Sequence, residues 1–224
     1  MEHLALFTLG NIVITVLVSY LAFSRISIYG KYCFDVEAVL KGRKWYRLFT
    51  SIFLHADWSH LIFNMFSFFS FAAIMETRFG TLTLAAIYFG SGLAGNLLAL
   101  LLNLTRFNYR AVGASGSIAG VIFASIFLIP GGSIIIFPLP FPVPAWTFAF
   151  IFILATLYGV GLKSTDIGHE AHLGGALAGI ASAVIIEPSI LTEQTLFLSA
   201  VIVPVLIFLA ITLKVGPAGW PWRR

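Results

Sequence analysis

The sequence predicts an all-α membrane protein of seven helices, and three observations carry that prediction. Charged residues make up 10% of the 224-residue chain and apolar residues 59%, whereas an ordinary soluble domain carries roughly 25% charged residues. Mean hydropathy is +0.99. The apolar residues also gather into seven runs, near 4–24, 59–77, 81–103, 115–130, 145–162, 169–187 and 196–214. Most of these approach the ~20 residues that cross a bilayer. Lipid offers the backbone no hydrogen-bond partners, so such runs must pair internally as helices.

Each run can be justified in order. The first follows Met1-Glu2-His3, which lacks a basic leader, and no small-residue cleavage site follows, so it reads as a retained helix. Residues 25–58 form a long mixed loop with six basic residues and with Trp45 and Trp58, the composition of a structured element lying at the membrane interface. The fourth run is short, and the sixth opens with His169, Glu170 and His172, so both are expected to begin inside the protein. Residues 131–144 hold Gly131, Gly132 and prolines at 138, 140, 142 and 144. Alternating prolines exclude a helix and predict extended chain at the membrane surface.

Composition also excludes function classes. A net charge of +4 would suggest nucleic acid in a soluble protein, but here the basic residues sit between apolar runs and read as membrane-surface residues, with no nucleic-acid partner. Cys33 is the only cysteine, so neither an intrachain disulfide nor a cysteine zinc cluster is available. No cofactor is implied.

Buried ionisable groups cost about 2.5–3.5 kcal/mol each at a bilayer centre on insertion scales, which makes polar positions inside the apolar runs functional candidates. Three clusters stand out. His60 and Asn64 are four apart, on one face of the second helix, and both can donate into a common space; an interhelical polar clamp is the plainer reading. Gly113-Ala114-Ser115-Gly116 opens the fourth helix, where unpaired N–H groups would favour a developing oxyanion; a serine N-cap is the plainer reading. The third cluster is Ala171-His172-Leu173-Gly174-Gly175 through Gly179 in the sixth helix. Gly116 with Gly120, and Gly175 with Gly179, form two small-residue faces. Packing these faces together would bring Ser115 and His172, each just N-terminal to its face, within hydrogen-bond reach. No carboxylate obviously completes a triad, so a two-residue mechanism is favoured. His169-Glu170-Ala171-His172 spaces its histidines three apart instead of the four of a zinc protease helix, so no metal is expected.

These residues resemble the rhomboid intramembrane proteases along nearly the whole six-helix core. Trp45-Tyr46-Arg47, His60-x-x-x-Asn64, Glu76, Gly113-Ala114-Ser115-Gly116 and Ala171-His172-x-x-Gly175-x-x-x-Gly179 follow in the family's order. The resemblance implies a rhomboid-like core over residues 1–192, containing the interfacial loop 25–58, and an additional C-terminal transmembrane helix with a short tail over 193–224. It implies Ser115 as nucleophile and His172 as general base, with His60, Asn64 and the Ser115 N–H as oxyanion hole. Arg47 and Glu76 would brace the fold, with Gly113, Gly116, Gly175 and Gly179 as structural motif positions, and His55 would be a loop-packing residue. Ala119, one turn after Ser115, departs from members that place an aromatic against the base, which leaves the orientation of His172 open. The implied activity is hydrolysis of peptide bonds in or near transmembrane segments of membrane-protein substrates.

The aromatics Trp146, Phe148, Phe150 and Phe152 of the fifth helix suit either a lateral gate or plain lipid contact. A transporter or channel would predict internal repeats and charged midplane residues, which the sequence lacks. A rhomboid-like factor that binds membrane proteins without catalysis is the other alternative. Orientation divides two arguments. Arg25, Lys31, Lys41, Arg43, Lys44, Arg47, Arg106, Arg110, Lys163, Lys214, Arg223 and Arg224 share one side of a seven-span topology, against Arg78 alone on the other. The positive-inside rule puts the long first loop in the cytoplasm. The resemblance puts the N-terminus there instead, in a cell membrane, with the active site opening to the extracytoplasmic side.

Overall fold

The computed structural model describes residues 5–135, 141–162 and 168–215. Lys163, Asp166, Pro138, Pro140, Arg223 and Arg224 therefore lie outside the described residues. Helix α1 spans Leu6–Ser24. The long first loop is a folded unit: α2 (Ile26–Tyr32), strand β1 (Phe34–Asp35), α3 (Val36–Leu40), α4 (Arg47–Thr50) and a 3-10 turn over Ser51–Phe53. Then come α5 (Trp58–Phe79), α6 (Thr81–Leu102), β2 (Arg110–Ala111), α7 (Ser115–Leu128), β3 (Ser133–Ile135), β4 (Pro142–Pro144), α8 (Ala145–Leu162), α9 (His169–Ile186), α10 (Ile190–Glu193) and α11 (Thr195–Val215). Among the described residues, α1, α5, α6, α9 and α11 are long and apolar enough to cross a membrane, while α7 and α8 are shorter apolar helices. The chain is an all-α multi-pass membrane protein.

Local chemistry sets the boundaries. Asp57 caps α5, its carboxylate accepting from the His60 N–H at 2.8 Å. Gly80, at φ 85°, turns the chain between α5 and α6 in a conformation that side chains disfavour. The described ends of the proline segment are extended and paired: β3 runs antiparallel to β4, with Ser133 opposite Pro144.

The burial pattern is that of a protein dissolved in lipid. On α1 the buried face is polar, with Thr8, Asn11, Thr15 and Ser19, while Leu6, Val13, Ile14 and Leu17 are exposed. Thr8 donates to Glu76 at 2.8 Å, and Ser19 bonds the Phe53 carbonyl and His55, each at 2.9 Å. Polar side chains thus fasten helices that hydrophobicity alone would not hold together in lipid.

Helices α6, α7 and α9 form the centre, with α1 and α5 on one flank and α8 and α11 on the other. Every residue of α7 from Gly116 to Phe127 is buried. A helix that is apolar all round and only 14 residues long starts inside the protein. The predicted glycine faces meet. A Cβ on Gly175 would strike the Gly116 carbonyl, and one on Gly179 would strike that of Gly120. On the neighbouring contact, Gly92 of α6 receives the Ser117 hydroxyl and Gly120 of α7 receives that of Ser91. Backbones approach this closely only where side chains are absent.

Candidate active site

Ser115 is the first residue of α7, and Ala114 stands at the cap position, so the hydroxyl of Ser115 is not used for capping. It lies 2.7 Å from Nε2 of His172 on α9, although 57 residues separate the two in the chain. The glycine contact brings this about: Ser115 precedes Gly116, and His172 lies three residues before Gly175. The N–H groups of Ser115 and Gly116 belong to the first turn of α7 and have no carbonyl four residues back in the helix.

Asn64 is buried, and its Nδ2 has no hydrogen-bond partner among the described residues. It lines a cavity of 440 Å³ together with His60, Asn96, Gly113, Ser115 and His172. Gly113 sits at φ 131°, and a Cβ there would lie 2.9 Å from Cε1 of His60, so glycine leaves room for the imidazole beside Ser115. Behind it, His55 is fully buried, with Nδ1 2.9 Å from Ser19 Oγ and its ring centroid 5.0 Å from that of His60. Burial, and then the neighbouring His60, push the pKa of His55 down to about 3, so it stays neutral at physiological pH.

The bracing residues make definite contacts. Arg47 is buried and donates to the carbonyls of Cys33, at 3.0 Å, and Gly30, at 2.8 Å. Glu76 accepts from the N–H groups of Phe7 and Thr8 and from the hydroxyls of Thr8 and Thr81, joining the end of α5 to the starts of α1 and α6. Glu170 accepts from Asn103 and from the Tyr109 hydroxyl, each at 3.2 Å. Burial and the adjacent Glu170 carboxylate raise the pKa of Tyr109, so its phenol remains a donor. Among the described residues, no group of three or more potential ligands could hold a metal.

Sequence reasoning passed over Asn96, which lines the cavity and donates to the Leu48 carbonyl at 2.7 Å and to Ser51 Oγ at 3.0 Å. Its amide inside an apolar run was the available signal. Also passed over was the lining of a second cavity, of 660 Å³, between α5 and α8, where Ser59, Phe63, Ser67 and Ser70 face Phe148 and Phe152 and which reaches Ser115 and His172. The aromatics of α8 divide accordingly: Phe148 and Phe152 line this groove, whereas Trp146 and Phe150 are exposed.

A model of the rhomboid domain matches residues 42–189. The chain belongs to the rhomboid family. It is 31% identical over 133 residues to Rhomboid protein 1, mitochondrial, of Saccharomyces cerevisiae, covering 58% of this chain and 38% of that protein. It is 31% identical over 161 residues to RHOMBOID-like protein 6, mitochondrial, of Arabidopsis thaliana, covering 68% and 47%. It is 38% identical over 86 residues to Putative rhomboid protease YdcA of Bacillus subtilis, covering 38% and 42%. The aligned region is thus less than half the length of each of these relatives. Proteases are among the named family members, and the matched segment of this rhomboid contains Arg47, all three polar clusters and the glycine faces.

Proposed function

We propose that this rhomboid is an intramembrane serine endopeptidase that cleaves membrane-protein substrates in or near their transmembrane segments, with Ser115 as nucleophile and His172 as general base. The observation that carries this reading is the 2.7 Å contact between Nε2 of His172 and Oγ of Ser115, beside a cavity that also takes His60, Asn64 and Asn96 into its lining, inside a lipid-facing bundle. His172 Nε2 accepts the Ser115 proton as Oγ attacks the scissile carbonyl. The developing oxyanion is met by the Ser115 N–H, Asn64 Nδ2 and the His60 ring, groups that need no reorganisation at that moment. His172 then delivers the proton to the departing amine, and a water from the cavity hydrolyses the acyl-enzyme with the same base. The groove between α5 and α8 suits entry of a transmembrane segment from the lipid. That segment must unwind at the scissile bond, so helix-breaking or small residues there favour cleavage. Residues 1–192 would form the catalytic core and 193–224 the additional helix and tail.

A serine-reactive fluorophosphonate tests the reading directly: it should modify Ser115 in the native protein and not in Ser115→Ala. Absence of labelling in the folded wild-type chain would overturn it.

Asn64→Ala should lower kcat about 10²-fold, the loss that follows removal of one oxyanion donor, with little change in KM, because its contact strengthens as charge develops. A rise in KM with unchanged kcat would make Asn64 a substrate clamp instead.

For orientation, the reading places the first loop and the cavity mouth outside the cytoplasm. Several loop cations have partners that hold them at this face. Arg47 is buried, Arg110 pairs with Asp35 at 2.8 Å, and Arg106 donates to Asn103 at 3.1 Å. Charges tied in this way are weak topology signals. Single cysteines at the exposed positions Lys44 and Ser133, in a Cys33→Ser background, should be modified by a membrane-impermeant thiol reagent on intact cells at position 44 and spared at 133. The reverse pattern would put the catalytic cavity in the cytoplasm.

A further inference from the structure

The dyad lacks a conventional third member. Among the described residues, the hydrogen-bond partner of the His172 ring is Ser115 Oγ, and no carboxylate orients its other nitrogen. A base without an orienting group must be held in line by packing, because a rotated imidazole cannot accept the serine proton. On α7, the residue one turn after Ser115 is Ala119, which lines the same groove but offers only a methyl. A ring reaches His172 from another helix. Phe152 of α8 lies with its centroid 5.9 Å from that of His172 and the planes inclined by 35°. Phe152 is itself packed by Phe123 of α7, at 5.4 Å, and by Phe148, at 5.7 Å.

Seven residues further along α8, and so on the same helix face, Gly159 meets the second histidine of α9. A Cβ on Gly159 would overlap the His169 ring, and His169 in turn stands edge-on to His172 with centroids 5.9 Å apart. One stripe of α8 therefore contacts both histidines, and Phe152 of that stripe, with Phe148, also borders the groove toward α5.

We propose that Phe152 is the positioning residue of the base and that, because it is carried by α8, His172 is aligned with Ser115 only while α8 lies against α9. This rests on the dyad reading above. It means that a substrate segment entering between α5 and α8 must leave, or restore, the α8–α9 contact before the chemical step can proceed.

The test uses the full chain, a small fluorophosphonate and a model transmembrane substrate. Phe152→Leu keeps bulk and removes the ring. It should slow labelling of Ser115 by the small fluorophosphonate and lower kcat by roughly tenfold, part of the ~10²–10⁴ that a positioned base contributes. Phe152→Tyr should recover most of the rate, because the ring is restored. Gly159→Val, which wedges α8 off His169 without touching the groove, should also slow labelling, while Phe150→Leu on the exposed face should not. If Phe152→Leu unfolds, Phe152→Met with its thermal midpoint recorded takes its place. Labelling at the wild-type rate in Phe152→Leu, a tyrosine variant no better than leucine, or full-rate labelling of Gly159→Val would each overturn the proposal while leaving the dyad intact. A wild-type chain that is not labelled at all would overturn the dyad reading and this inference with it.

Discussion

Ser115→Ala and His172→Ala should each reduce cleavage of a model transmembrane substrate by about 10⁴-fold or more, the scale seen when one member of a nucleophile–base unit is removed. The physical reason is the geometry. Oγ and Nε2 are 2.7 Å apart, and neither works alone: a neutral hydroxyl is a weak nucleophile at physiological pH, and a base with no proton to take does nothing. The double variant should therefore be no slower than either single variant, since residues acting as a unit lose activity once. Both substitutions remove atoms facing a cavity, so the thermal midpoint in detergent should stay close to wild type. Cleavage retained at the wild-type rate in either single variant would remove the protease reading.

Gly175→Val should produce a large loss of stability. A Cβ at this position meets the Gly116 carbonyl oxygen, with its carbonyl carbon at 2.7 Å and its Cα at 3.1 Å. These are backbone atoms in the centre of a packed helix and cannot swing aside as a flexible side chain would. Overpacking of this kind costs about 1–3 kcal/mol where a core can adjust, and more where it cannot. Gly116→Val should be milder, because the nearest atom to its Cβ is the Ala171 carbonyl oxygen at 3.0 Å. Activity should fall further than stability in Gly175→Val, because separating α7 from α9 also separates Ser115 from His172. An unchanged midpoint for Gly175→Val in detergent would show that the two glycine faces do not meet.

Much of this was legible in the chain because lipid imposes simple rules. Backbone pairing forces apolar runs to be helices, so the helical class followed from composition and run length. Ser115, His172, His60 and Asn64 were visible because polar groups inside apolar runs are costly. The glycine spacing at 116, 120, 175 and 179 indicated which two helices would carry the serine and histidine toward each other, since close approach needs small residues at helical repeats. Glu76 showed as a charge at a helix end, but its partners, the backbone of Phe7 and Thr8, lie 69 and 68 residues away, a distance no local pattern encodes.

The first loop shows where pattern reading stops. Its amphipathic composition indicated structure at the interface. The pairing of Phe34 with Ala111 and Asp35 with Arg110, which joins it to the connection after α6, had no periodic signature. Two-residue strands leave none. Asn96 was missed because an amide in an apolar helix reads equally well as an interhelical clamp. The pairs of α8 aromatics, Phe148 and Phe152 inward and Trp146 and Phe150 outward, could not be separated because a helix surrounded by lipid is apolar on every face. The sequence alone determined the helical membrane class, the polar residues that lipid would not tolerate without reason, and the glycine faces. Only the tertiary structure decided that Asn64, beside the cavity, has a buried amide donor without a partner among the described residues and that a ring from α8 packs on His172. Those facts depend on the separations between helices distant in the chain, which side-chain packing sets and linear spacing does not record.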